Sequence, residues 1–260
     1  MQFPVHVNVF GVPVLLHLIL EVSAFFVGFR YFLYLRRKGG DTIASKNRTW
    51  ILIGAMFGAF FGSRLVGGFE DPGQVALAKN LLFYFLQNKT VLGGFLGGLA
   101  GVEIVKHFIK EKKSSGDLFT YPMILALMIG RIGCFSMGVY EETYGLPTSL
   151  PWGMNLGDGI PRHPVCLYEI IFLILLWINL NWLERKYILE SGARFKIFLI
   201  SYCFFRLLLD FIKPHYTFPF GLSTIQLTCC AGLIYYHRYI ISPKKLIVTK
   251  KKLISKPAAG

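Results

Sequence analysis

Long apolar runs separated by short polar stretches dominate the chain. Seven of them, approximately 13–35, 50–69, 91–109, 118–139, 164–183, 197–212 and 222–241, approach the roughly 20 residues with which an α-helix crosses ~30 Å of hydrocarbon. The sixth is the shortest. In lipid every backbone polar group must be satisfied within the protein, so this pattern predicts an all-α polytopic membrane protein with about seven transmembrane helices. Two segments on one side depart from it. Residues 70–90 join a turn signal to an amphipathic stretch, which predicts a helix along the surface. Residues 140–163 hold Gly, Pro, acids and Trp152, which predicts a small folded extracytoplasmic cap. No Pro-, Gly- or Ser-rich linker divides the chain, so 1–241 reads as a single transmembrane domain and 242–260 as a basic tail.

Composition and charge sharpen this picture. Apolar and aromatic residues make up 54% of the 260, charged residues only 16%, and mean hydropathy is +0.52. A soluble domain carries about 25% charged residues, so disorder is excluded and the composition argues against an ordinary cytosolic globule. The formal charge of +14 would suggest nucleic acid in a soluble chain. Its placement argues otherwise. If the spans alternate, 20 Lys and Arg fall in 36–49, 106–113, 184–196 and 238–256, against Lys79, Lys89, Arg162 and Lys213 on the other side. That bias predicts an external N-terminus and a cytoplasmic C-terminus, and accounts for the excess without nucleic acid. Residues 1–12 lack Lys and Arg, so the start is expected to be a retained anchor. The Lys-rich tail reads as a positive-inside stop with affinity for anionic membrane lipids. Five cysteines, at 134, 166, 203, 229 and 230, form no C-x-x-C pair and read as membrane-embedded free thiols, with neither a disulfide framework nor a zinc site expected.

Glycine recurs every fourth residue at Gly54, Gly58 and Gly62 and again at Gly93, Gly97 and Gly101. This spacing clears a helix face for close packing, and Gly97 and Gly98 could also admit a lipid headgroup. Ionisable residues inside the spans carry more information, since each costs at least ~2.5 kcal/mol at the bilayer centre. They are Glu21, Arg30, Arg64, Glu103, Arg131, Glu169, Arg206 and Asp210. Arg30 can snorkel to its interface, Glu21 lies one turn from His17, and Arg206 with Asp210 has the spacing of an intrahelical pair. Arginines embedded in separate helices suggest an anionic substrate, because guanidinium stays charged and offers a planar fork of donors to phosphate. At that depth the phosphate belongs to a phospholipid.

These residues also carry a resemblance. Gly130-Arg131-Ile132-Gly133-Cys134-Phe135 through Gly138, followed by Tyr144-Gly145-Leu146-Pro147-Thr148-Ser149-Leu150-Pro151-Trp152-Gly153, resembles the signature of the prolipoprotein diacylglyceryl transferases. Arg162-His163-Pro164 with Leu167-Tyr168-Glu169 is similar to the family's R-H-P-x-x-L-Y-E element, and Phe205-Arg206, Asp210, Leu222-Ser223 and Gln226 resemble its C-terminal elements. The resemblance implies a transferase domain over 1–241 in a bacterial inner membrane. Its reaction would move the diacylglyceryl group of phosphatidylglycerol to the lipobox cysteine thiol of a prolipoprotein, releasing glycerol phosphate. No cofactor or metal is expected.

By the same resemblance Arg131 and Arg206 are the phosphate-binding catalytic residues, with His163 and Glu169 beside them. Arg64, Gly97, Gly98, Cys134, Glu142, Tyr168, Asp210 and Gln226 are candidate substrate-binding residues. Several positions depart from the family pattern: Cys134 replaces Asn, Asp210 replaces Glu, Met137-Gly138-Val139 replaces Asn-Gly-Glu, and Leu96 replaces the His before a Gly-Gly pair. Since a thiol attacks only as thiolate, the absent histidine leaves a base to be found. His163 is the first candidate, because histidine titrates near neutral pH. Two alternatives remain: a membrane transferase that moves a phospholipid-derived group to another acceptor, and a lipid-binding or transport protein without catalysis.

Overall fold

In the computed structural model, which describes residues 2–39 and 41–248, the chain starts with a β-hairpin before its first helix. Valines alternate at positions 7, 9, 12 and 14, and strands β1 (His6–Val9) and β2 (Val12–Leu15) pair antiparallel. The two-residue turn has φ of 50° at Phe10 and 84° at Gly11, as a type I′ turn requires. The expected first span therefore starts three residues late, at α1 (Leu16–Gly39).

After α2 (Ser45–Gly68), the surface segment forms two short helices in place of one, α3 (Pro72–Leu77) and α4 (Leu81–Gln87). Asp71 and Asn80 cause the division. Each side chain accepts hydrogen bonds from backbone N–H groups of the following turn, so each starts a new helix. Helices α5 (Val91–Phe108), α6 (Asp117–Met137) and α7 (Val165–Lys186) follow, with the cap between the last two. A two-residue ribbon, β3 (Met154–Asn155) with β4 (Pro161–Arg162), is the regular part of that cap.

Among the described residues five helices, α1, α2, α5, α6 and α7, are long and apolar enough to cross a membrane. The other two expected spans are shorter. The sixth is the 17-residue α8 (Ala193–Leu209), continued by a 3-10 turn over Asp210–Ile212. The seventh is interrupted at Tyr236, giving α9 (Thr224–Tyr235) and α10 (His237–Ile241). The chain is thus a multi-pass, all-α membrane protein with two small ribbons at one end.

Helices α2 and α5 meet along their glycines. Gly54 faces Gly101, Gly58 faces Gly97 and Gly62 faces Gly93, and a β-carbon at Gly58 would strike the carbonyl oxygen of Gly97. Backbone-to-backbone packing of this kind replaces the hydrophobic drive that lipid removes. Ile124, Leu173, Leu180, Phe198 and Tyr202 fill the centre between α6, α7 and α8, all but solvent-free. Large apolar side chains such as Phe25, Phe57, Phe61 and Ile178 point outward, where lipid would cover them. At the end opposite the cap, buried Arg48 is paired with Asp41 and donates to the Ser115 carbonyl at 3.0 Å.

Candidate active site

Helices α6 and α8 end, and α7 begins, at the end of the bundle that carries the cap. That antiparallel arrangement brings the last turns of two helices level with the first turns of a third. Arg131 of α6, Glu169 of α7 and Arg206 of α8 meet there, each less than a tenth exposed. Arg131 Nε donates to Glu169 Oε1 at 2.9 Å and Arg206 Nη1 donates to Glu169 Oε2 at 3.1 Å. Tyr202, one turn before Arg206 on the same face, donates its hydroxyl to Glu169 Oε1 at 2.7 Å. One buried carboxylate thus fixes two guanidinium groups from different helices.

The cavity beside this cluster is lined by Arg131, Arg206, Lys213, Glu169, Thr143 and Cys166, among others. Three cations face one carboxylate, so the cavity is suited to an anion. Arg206 Nε is buried without a hydrogen-bond partner, which leaves a donor free for a ligand. Burial, reinforced by the charge of Arg206, pushes the Lys213 amine below its usual range. Glu70, just beyond α2, is raised to about 6 by burial, against the opposing pull of Lys213 and Arg206.

A second polar cluster adjoins the first through Arg131. Its Nη1 lies 3.7 Å from Cys134 Sγ, one turn along α6, and Cys134 Sγ lies 3.8 Å from Glu141 Oε1 in the cap. Glu141 Oε2 in turn is 3.4 Å from His17 Nδ1 at the start of α1. His17 Nε2 is 3.5 Å from Glu21, and Glu21 is paired with Lys89.

The remaining expected residues are distributed as follows. Asp210 does not pair with Arg206 as their spacing had suggested; it lies past the end of α8, where it accepts a hydrogen bond from Ser223 and is 3.7 Å from His215 Nδ1. Gln226 is wholly buried, with its side chain accepting from the Ser223 N–H at 2.9 Å in the capping box that starts α9. His163 Nδ1 is 3.2 Å from the Tyr168 hydroxyl, which also accepts from Trp152 Nε1 at 2.8 Å, so these three tie the cap to α7. Glu142 is exposed, while its neighbour Glu141 turns inward. Arg64 stacks over the Phe60 ring at 5.4 Å. Gly97 is occupied by the seam with α2, Gly98 lies against Ala55 and Ala59, and Leu96 packs on Gly232 of α9.

Among the residues of these clusters that had no place in the sequence-based site are Tyr202, Lys213, His17 and Glu141. Tyr202 could have been found from its i,i+4 relation to Arg206, and Lys213 as one of four basic residues on the sparse side. His17 and Glu141 are brought to Cys134 by tertiary structure.

Residues 4–241 match the family described as prolipoprotein diacylglyceryl transferase. The chain belongs to that family. A phosphatidylglycerol–prolipoprotein diacylglyceryl transferase of Bordetella bronchiseptica is 39% identical over 177 residues, 62% of each chain. One of Bordetella parapertussis is 35% identical over 174 residues, 61% of this chain and 62% of its own. One of Nitratidesulfovibrio vulgaris is 30% identical over 218 residues, 75% of each. The matched stretch thus spans less than two thirds of the two Bordetella relatives.

Proposed function

We propose that the protein is a phosphatidylglycerol-dependent prolipoprotein diacylglyceryl transferase of the bacterial inner membrane, with its cap and N-terminus outside and its C-terminus cytoplasmic. The observation that carries this reading is the convergence of Arg131 and Arg206 on Glu169 beside a cation-lined cavity near the helix ends that carry the cap. Phosphatidylglycerol would place its phosphodiester in that cavity. The lipobox sulfur attacks the glycerol carbon bonded to the phosphate, the C–O bond breaks, and its electron pair leaves with the phosphate oxygen. Charge grows on that oxygen, and donors fixed in advance stabilise it most effectively. Glu169 performs that fixing, since it pairs with both guanidinium groups and is itself held by the Tyr202 hydroxyl before substrate arrives. The surplus of positive charge over Glu169 is what remains for the phosphate. The membrane supplies the lipid laterally, and the prolipoprotein cysteine approaches from the outer interface.

The test is to incubate purified protein with labelled phosphatidylglycerol, with and without a lipobox peptide. Diacylglyceryl-modified peptide and free glycerol phosphate should appear together, and only when the peptide carries its cysteine. Glycerol phosphate released with no peptide, or lipid bound with neither product formed, refutes the acceptor or the chemistry respectively.

A further inference from the structure

His17, Cys134 and Glu141 come from α1, α6 and the cap, yet their ligand atoms lie within 4.8 Å of one another. Two edges of this triangle are 3.4 Å, His17 Nδ1 to Glu141 Oε2, and 3.8 Å, Cys134 Sγ to Glu141 Oε1. Tetrahedral zinc with nitrogen, sulfur and oxygen ligands at about 2.0–2.3 Å has edges of roughly 3.4–3.6 Å, so the nitrogen–oxygen edge matches a metal site and the sulfur edge needs to close by only a few tenths of an ångström. His17 Nδ1 and Glu141 Oε2 are both buried and without a hydrogen-bond partner, which is costly for two polar atoms that face each other. A cation between them satisfies both.

The surroundings fit as well. His17 Nε2 is 3.5 Å from Glu21, and a proton on Nε2 directed at that carboxylate leaves the Nδ1 lone pair free for a metal. Lys89 neutralises Glu21. Gly133 makes room for the ring, because a β-carbon there would come within 3.4 Å of His17 Nδ1. A Cys134 thiolate and the Glu141 carboxylate would together balance a divalent cation, while Arg131 shares Glu169 with Arg206.

We propose that His17, Cys134 and Glu141 hold a Zn²⁺-class cation whose fourth position receives the acceptor thiol. This rests on the transferase reading, and it answers the question left by Leu96, which stands where the family pattern has histidine. Three protein ligands and an open position are the arrangement of catalytic zinc. A thiol bound to such a cation is deprotonated outright. The acceptor thiol displaces a metal-bound water and its proton passes to solvent. The metal-bound sulfur then attacks the glycerol carbon, and the C–O electron pair leaves with the phosphate held by Arg131 and Arg206. The cation would lie within about 6 Å of Arg131 Nη1, given the 3.7 Å from that atom to Cys134 Sγ and a metal–sulfur bond of about 2.3 Å. Attacking sulfur and leaving phosphate are thereby neighbours.

The experiment loads the full-length, detergent-solubilised protein with Co²⁺ and, separately, Zn²⁺. One equivalent of either should bind per chain, with a near-ultraviolet sulfur-to-cobalt charge-transfer band for Co²⁺. Cys134→Asp should retain the metal and lose the band, His17→Ala should lose the metal, and Glu21→Gln should weaken affinity by about 10–100-fold. No stoichiometric binding, or a band that survives in Cys134→Asp, overturns the site. Stripping the metal should slow transfer to a lipobox peptide by about 100-fold or more, with recovery on adding Zn²⁺ and no change in phosphatidylglycerol binding. Undiminished transfer by stripped protein overturns the catalytic role and leaves the transferase reading intact. Metal bound as expected, with no transfer in either form, overturns the transferase reading and leaves the site.

Discussion

Arg206 pairs with Glu169 of the neighbouring helix, 3.1 Å away, and Asp210, just past the end of the helix that carries Arg206, pairs elsewhere. The difference separates two functions that sequence spacing had merged. Glu169 holds the guanidinium groups of Arg131 and Arg206 together, whereas Asp210 secures the start of α9.

Arg131→Ala and Arg206→Ala should each abolish diacylglyceryl transfer while the folded protein remains extractable. Lysine should rescue poorly at either position, since it lacks the planar fork that reaches both carboxylate and phosphate. Glu169→Gln leaves two buried guanidinium groups without their counter-charge, and breaking such a pairing costs about 3–5 kcal/mol. Its melting temperature should fall along with its activity. Near-normal turnover in both arginine variants would remove them from the chemistry.

Asp210→Ala and Ser223→Ala should each destabilise the protein by about 1–3 kcal/mol, because each leaves a buried polar partner unmatched at the start of α9. The double variant should lose little more than either alone, as residues in one network do not add. Full additivity in thermal or denaturant unfolding would show that the two act independently.

Anion binding should strengthen as pH falls from 7 to 5. Glu70, raised by burial to about 6, loses its negative charge in that interval and ceases to offset Lys213 and Arg206. The same raised value means that protonation favours the folded state. Stability contributed by the protonated carboxyl is fully present below its ordinary pKa of 4.5 and is lost as pH rises through about 6. Titrating phosphatidylglycerol binding, with no acceptor present, isolates the effect, and Glu70→Gln should flatten the profile. A wild-type profile unchanged by that substitution would assign the dependence to another group.

Topology is open to a direct test. Cysteines introduced at Lys113 and at Gly157, in a background whose native cysteines are blocked, should label from opposite sides of the membrane, with Gly157 external. The expectation follows from 20 basic residues on the first side and four on the second. Labelling from the same side would exclude the alternating arrangement.

The sequence by itself determined the membrane class, the approximate spans, the glycine seam between α2 and α5, and that Arg131, Arg206 and Glu169 lie inside spans, where each must find a partner. Each of these is a local property. Apolar run length, a four-residue glycine period and the cost of a charge in lipid are all visible in one stretch of chain. Tertiary structure decided the partners. That Arg206 turns to Glu169, that Glu141 faces inward where Glu142 does not, and that His17 meets Cys134 depend on how α1, α6, α7, α8 and the cap sit together at one end of the bundle. Spacing along one helix gives the candidates for an ion pair. Only the packing of several helices sets which carboxylate is close enough, and dry enough, to prevail.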